Sequence, residues 1–234
     1  METHNYQFII DGGEELSSGI YITIFAYRFT PEFWKKPKPE QSNLFDKMND
    51  FFASYRKKLV HLRTYRSIRH DCDLIVWCSS YSPEDLAEFR ENLNRAMEDN
   101  GYPDYSMFSL YEHSPYMKQG QELSDTLNFP PKKYFVSYPM NKDPEWYLVD
   151  PKERKEIMSE HISMATSNPE NEDIRSYTTY SYGIADQEFV VMYETDSLSN
   201  WSHVTAKLRE ARQRKWVTKE YPIYVGILSE PFNF

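Results

Sequence analysis

Short apolar runs alternate along the chain with longer segments that repeat apolar residues every three or four positions. Ile20–Arg28 is an extended β-branched and aromatic run. From Asn43 to His61, Leu44, Met48, Phe51, Phe52, Tyr55 and Leu59 recur at helical spacing, so a strand is followed by a helix. Leu62–Ile68 and Asp73–Ser80 read as two strands around a turn at Arg69–Asp71. Ser82 then caps a helix through Asn94, with Pro83 in its first position and Asp85 in its third, where they serve the unpaired amides of the first turn. A strand at Met107–Glu112 completes the order β-α-β-β-α-β.

The order then repeats. Lys133–Met140 reads as a strand and Pro151–Ala165 as a helix. Ile174–Tyr182 and Glu188–Thr195 are a strand pair around Gly183–Asp186, Ser199–Ala211 is a helix, and Ile223–Leu228 is the last strand. Self-similarity at half the chain length predicts an α+β protein of duplicated ferredoxin-like βαββαβ units, packed sheet to sheet as an α+β barrel with a cavity between them. The expected division is a first unit over 1–115, a linker over 116–131 and a second unit over 132–234. Two independent ferredoxin-like domains without a shared cavity fit the same pattern.

Composition narrows the chemistry. The net charge of −9 leaves no excess of Lys and Arg for a nucleic-acid backbone or an anionic membrane. The longest apolar stretch, Ile20–Tyr27, falls far short of the roughly 20 residues of a membrane span. The N-terminus has no signal-peptide pattern, which leads us to expect a cytoplasmic protein with Cys72 and Cys78 reduced and buried. With 16% aromatic residues, half of them Tyr, the chain can line a large, partly polar pocket. None of its 7 glycines forms a phosphate-cradling loop or a hydrolase nucleophile elbow.

Of the six histidines, His161 stands apart. Its helix is capped by Asp150, with Pro151 first and Glu153 third. Ile157, His161, Met164 and Ala165 fall on one face, which turns the imidazole toward the sheet. A core histidine bonded to backbone and a metal ligand both fit this pattern, and His61, on the apolar stripe of the first helix, shares the ambiguity. Zinc would need three or four ligands in recognisable spacing, and no second His or Cys lies within a turn of His161. Heme needs one axial imidazole in an apolar, aromatic pocket.

Taken in order, Tyr138-Pro139-Met140-Asn141-Lys142, Trp146-Tyr147-Leu148, Glu153-Arg154, Met158-Ser159-Glu160-His161 and Ser181 to Phe189 resemble the C-terminal half of the chlorite dismutase superfamily. The resemblance is strongest to its coproheme decarboxylase branch, also called HemQ. It implies a heme- or coproheme-dependent oxidoreductase with hydrogen peroxide as oxidant, assembled as a ring of five. It implies His161 as the proximal ligand to iron, Tyr138 as the tyrosine whose radical takes hydrogen from a propionate, and Met140 and Lys142 as pocket residues near the propionates. From the residues alone, Tyr138 could instead be a satisfied hydroxyl at a strand end and Lys142 a solvated loop cation.

The chain also departs from the pattern. Ser176 stands where chlorite dismutases carry a distal Arg and many decarboxylases a Gln, and strand alternation turns the adjacent Arg175 to the opposite face. Ser124 replaces a propionate-gripping Arg, leaving Lys118, Lys132, Lys133 and Lys142 as substitutes. The carboxylate that would accept the N–H of the ligating imidazole is displaced, with Glu210 the nearest candidate if the helix register shifts. These departures keep two alternatives open: a non-catalytic porphyrin-binding protein and a cofactor-free monooxygenase-like barrel.

Overall fold

A computed structural model describes residues 19–113 and 122–234. Its first half runs β1 (Ile20–Phe29), α1 (Pro31–Lys35), α2 (Lys38–Tyr55), β2 (His61–Ser67), β3 (Leu74–Ser80), α3 (Pro83–Met97) and β4 (Gly101–Tyr111). After α4 (Leu123–Leu127), the second half runs β5 (Tyr134–Lys142), α5 (Glu145–Leu148), α6 (Pro151–Thr166), β6 (Arg175–Tyr180) and β7 (Phe189–Thr195). It ends with α7 (Leu198–Leu208), β8 (Val217–Lys219) and β9 (Tyr224–Leu228). The duplicated βαββαβ order is therefore present, with short helices added at 31–35, 123–127 and 145–148.

Both halves use the same strand arrangement. The first is ordered β4-β1-β3-β2 and the second β6-β7-β5-β9, all antiparallel. Their edges then pair, β4 with β6 at Leu110↔Tyr180 and β2 with β9 from Tyr65↔Leu228 to Ser67↔Gly226. Eight strands thus close into a ring, the arrangement that removes exposed sheet edges. Gly226 is required at the β2–β9 seam, because a Cβ there would lie 2.6 Å from Cβ of Tyr65.

Strand alternation separates an inner from an outer face. The interior of the barrel is filled rather than open. Trp77 stacks on Phe135 at 5.1 Å, Tyr65 on Phe135 at 4.7 Å, and Tyr177 meets Trp77 edge-on at 5.2 Å. Ile22, Ile24, Val190 and Met192 are buried around them. At about 1.5–3 kcal/mol for each fully buried large apolar side chain, this layer and the outer core are the main stabilising terms. Also buried in the interior is Glu194, which is 0% exposed. It accepts from Arg63 Nη1, from Arg175 Nη1 at 2.7 Å and from the Tyr177 hydroxyl at 3.0 Å, which ties β2 of the first half to β6 and β7 of the second.

On the outer face of the first half, Tyr27, Val76 and Cys78 are sealed beneath Met48 and Phe52 of α2 and Phe89 and Leu93 of α3. The α3 cap is as expected: Ser82 Oγ accepts the Glu84 N–H at 3.2 Å. The helix expected over Asn43–His61 is displaced, starting at Lys38 and ending at Tyr55. His61 consequently lies on β2 opposite Ser79 and is buried, not on a helical stripe. The apolar spacing continued past the helix end, but pairing with β3 claims His61 and Leu62 for the sheet. Of the expected linker, residues 116–121 lie outside the described residues and Leu123–Leu127 form α4. No helix among the described residues is long and apolar enough to cross a membrane.

Candidate functional site

The outer face of the second half is built differently from that of the first. Registers across β6, β7 and β5 place nine side chains on it in three rows: Ser176, Tyr193, Val136; Thr178, Val191, Tyr138; and Tyr180, Phe189, Met140. Two strand spacings by four residues gives a platform about 10 Å by 13 Å. Leu198 and Trp201 of α7 cover one end, with the Trp201 ring 4.0 Å from that of Tyr193. Met140 and Tyr180 are half-buried at the other end, and Ser176 and Thr178 are exposed along the β6 edge.

Helix α6 packs on α7, the helix that covers one end of this platform. Asp150 Oδ1 accepts the N–H groups of Lys152 at 2.9 Å and Glu153 at 3.3 Å, so the helix starts where its sequence predicts. Its main packing partners are α7 and the two short 3-10 turns at Pro169–Asp173 and Arg212–Trp216 rather than the strands. Ile157 is its one buried residue, while Met158, His161, Ile162, Met164 and Ala165 are half-buried. By contrast, α2 buries six side chains and α3 four. These half-buried sulfur, aliphatic and imidazole groups are suited to the edge or face of a flat apolar ligand.

The imidazole of His161 is half-buried on α6. Its Nδ1 is buried without a hydrogen-bond partner, so it is not the backbone-bonded core histidine that its helical position also allowed. Burial, and then the nearby charge of Lys142, hold its pKa below the usual histidine value. The ring is therefore neutral at neutral pH, the form that donates a nitrogen lone pair to a metal. Among the described residues, no three His, Cys, Asp or Glu side chains converge on one point. One neutral imidazole without further ligands fits a macrocycle that brings its own four equatorial donors, as heme does.

Lys142 is a buried residue, not a loop cation. It follows a register shift between Asn141 and Lys142, gives its ammonium hydrogen to Gln213 Oε1, and lies over the Trp146 ring at 4.6 Å. Burial, and then the charge of Arg214, lower its pKa to about 8. Gln213 was not indicated by the sequence. It sits in the 3-10 turn that follows α7, where helical periodicity says nothing about which side chain points inward. The displaced carboxylate is not supplied by Glu210, which is exposed and pairs with Lys207 at 2.6 Å.

Tyr138 is buried on the platform with its ring 6.1 Å from that of Tyr193. Burial, and then Tyr193, raise its pKa well above the usual phenol value. Ser176 faces outward opposite Tyr193, whereas Arg175 turns inward to Glu194. Ser124 lies in α4. Lys132 is held by Asp173 at 2.7 Å and Asp196 at 2.9 Å, the Lys133 ammonium lies over Tyr134, and Lys118 lies outside the described residues.

A closed ring of two βαββαβ halves defines the class of duplicated ferredoxin-like barrels. Within that class the chain belongs to the chlorite dismutase family, whose model matches residues 41–229. The coproheme decarboxylase of Mycolicibacterium smegmatis is 24% identical over 199 residues, covering 80% of this chain and 81% of that protein. The crystal structure of the chlorite dismutase-type protein TA0507 superposes with a TM-score of 0.85 at 42% identity, covering 92% of this chain and 96% of that one. A heme-binding protein from Thermus thermophilus shares the fold with a TM-score of 0.79 at 18% identity, covering 90% and 91%.

Proposed function

We propose that the protein is a heme- or coproheme-binding oxidoreductase, with peroxide-dependent decarboxylation of coproheme as its reaction and His161 as the axial ligand to iron. The observation that carries this reading is the orphaned, buried Nδ1 of a neutral imidazole on α6, in a half whose strands present an aromatic and aliphatic outer face. The similarity to a coproheme decarboxylase supports the substrate. The iron porphyrin supplies the redox chemistry when bound.

The chain's own residues do the rest. His161 offers one nitrogen on the α6 side, and the platform residues Met140, Phe189 and Val191 exclude water from the other. Tyr138 keeps its phenolic proton because burial disfavours phenolate, so it is held as a hydrogen-atom donor with the Tyr193 hydroxyl beside it. Ser176 contributes a neutral hydroxyl to the exposed edge of the platform and no fixed charge.

Ser176 also favours a second reading, a porphyrin carrier without catalysis, because no guanidinium faces the platform from β6. One experiment separates the readings. The purified protein is mixed with heme and with coproheme, spectra are recorded, and peroxide is added with product masses followed. A Soret shift and stepwise loss of carboxylate mass support the enzyme. A shift without mass loss supports the carrier, and no shift with either macrocycle overturns both.

A further inference from the structure

The first half carries a polar cleft of its own. Strand β1 pairs with β3 only as far as Tyr27↔Leu74. Beyond that point a side chain replaces the strand: the Asp73 N–H donates to Tyr27 O at 2.9 Å, and Asp73 Oδ2 accepts the Phe29 N–H at 2.7 Å. The end of β1 is thereby parted from the β2–β3 turn. A cleft of about 620 Å³ lies between that turn, α1 and the start of β4, and all its lining residues belong to the first half.

Its walls are cationic. Arg28, Lys35 and His70 are exposed, and among the described residues their side chains make no hydrogen bond or ion pair. They face one carboxylate, that of half-buried Asp73, whose Oδ1 has no hydrogen-bond partner among the described residues. Burial raises the Asp73 pKa, while the Phe29 N–H and then the charge of Arg28 lower it. Two aromatic rings stand on the rim. Trp34 is 39% exposed although it packs edge-on against Phe29 at 5.8 Å and Phe33 at 5.2 Å, which holds its ring in place. Tyr102, opposite Arg28 in the β1–β4 ladder, is 44% exposed.

We propose that this cleft binds a nucleoside phosphate. Two permanent cations outnumber the carboxylate in a chain whose net charge is −9, and with the imidazole they supply the charge and donors that a phosphate group takes. Side chains would hold the anion here, since the chain has no glycine loop whose amides could do so. The fixed Trp34 ring and Tyr102 offer apolar faces to a planar base. The free Asp73 oxygen accepts a ring N–H or amino hydrogen, which a nucleobase carries and a plain aryl phosphate lacks. The cleft falls within the range of about 300–1,000 Å³ usual for small-molecule sites. This inference does not depend on His161 or on the porphyrin reading.

The test titrates the full chain with GMP and AMP by calorimetry, beside guanosine, adenosine and ribose 5-phosphate, each of which lacks one part of the ligand. Arg28→Gln, Lys35→Gln and Trp34→Leu are compared with Lys57→Gln, an exposed control outside the cleft, and thermal melts confirm folding. At least one nucleotide is expected to saturate wild type with a Kd below about 1 mM, with its nucleoside and ribose 5-phosphate at least about tenfold weaker. Arg28→Gln and Lys35→Gln should each weaken the nucleotide about tenfold, as the loss of a charge-assisted hydrogen bond does, and leave the nucleoside unchanged. Trp34→Leu should weaken both, and Lys57→Gln should match wild type. The proposal is overturned by the absence of saturable binding of GMP and AMP, by wild-type affinity in folded Arg28→Gln and Lys35→Gln, or by ribose 5-phosphate binding as tightly as the nucleotides.

Discussion

Lys142 gives its ammonium hydrogen to Gln213 Oε1, and its charge stands beside the imidazole of His161. A cation in this position opposes protonation of the ring. The hydrogen-bond acceptor for the Lys142 ammonium is a neutral amide, while the carboxylates of Glu188 and Glu220 act on its charge from nearby.

If His161 alone ligates iron, His161→Ala loses the bound heme spectrum while His61→Leu retains it. The reason is placement: His61 is inside the barrel, its ring 4.3 Å from that of Trp77. Absorption spectra of the two variants titrated with heme check this, and unchanged spectra in both would remove the axial assignment.

Tyr138→Phe is expected to keep porphyrin binding and lose decarboxylation. The ring still fills its place against Tyr193 and Val191, but the O–H that can give up a hydrogen atom is gone. Mass analysis of the peroxide reaction decides the matter, and undiminished conversion would move the chemistry to another tyrosine.

Chlorite should be a poor substrate. A distal guanidinium that clamps departing anions is the kind of donor whose loss costs about 2.7–4 kcal/mol, a hundredfold to a thousandfold in rate. Ser176 carries no charge, and Arg175 cannot substitute because it is bound to buried Glu194 and the β6–β7 register runs without a bulge from Arg175 to Tyr180. An oxygen electrode should show slow evolution accompanied by bleaching, and rapid sustained turnover would contradict the assignment.

Stability should fall as the solution is acidified from about pH 6.5 to 5. Burial, and then the charge of Arg63, hold the His61 pKa well below the usual value of about 6.5 in the folded protein. In that window the unfolded chain takes up a proton that the folded chain refuses, so the contribution present above pH 6.5 is lost as the pH drops. Thermal melts at pH 7, 6 and 5 should decline more steeply for wild type than for His61→Leu, and parallel curves would refute the attribution.

Glu194→Ala is expected to destabilise the protein by about 3–5 kcal/mol, because it leaves Arg63 and Arg175 without their shared counter-charge inside the barrel. Urea titration measures the loss. A change under 1 kcal/mol would show that water reaches both guanidinium groups.

Much of this protein is written locally. The caps at Ser82 and Asp150, the prolines that follow them, the alternation that turns Arg175 away from Ser176, and the repeated βαββαβ order each depend on neighbours within a few residues. They could therefore be read from the chain, as could His161 on the inward face of its helix. Tertiary structure decided what depends on distant partners. Pairing with β3 moved His61 from the helix to a strand, and edge pairing of β2 with β9 and β4 with β6 closed the ring around a packed interior. Burial turned Lys142 from a loop cation into the partner of Gln213, 71 residues away in sequence. The Lys132 charge was spent on Asp173 and Asp196. Periodicity sets which way a side chain points along its own element, but whether it meets a charge, an amide or nothing is fixed only when elements far apart in the chain are packed together.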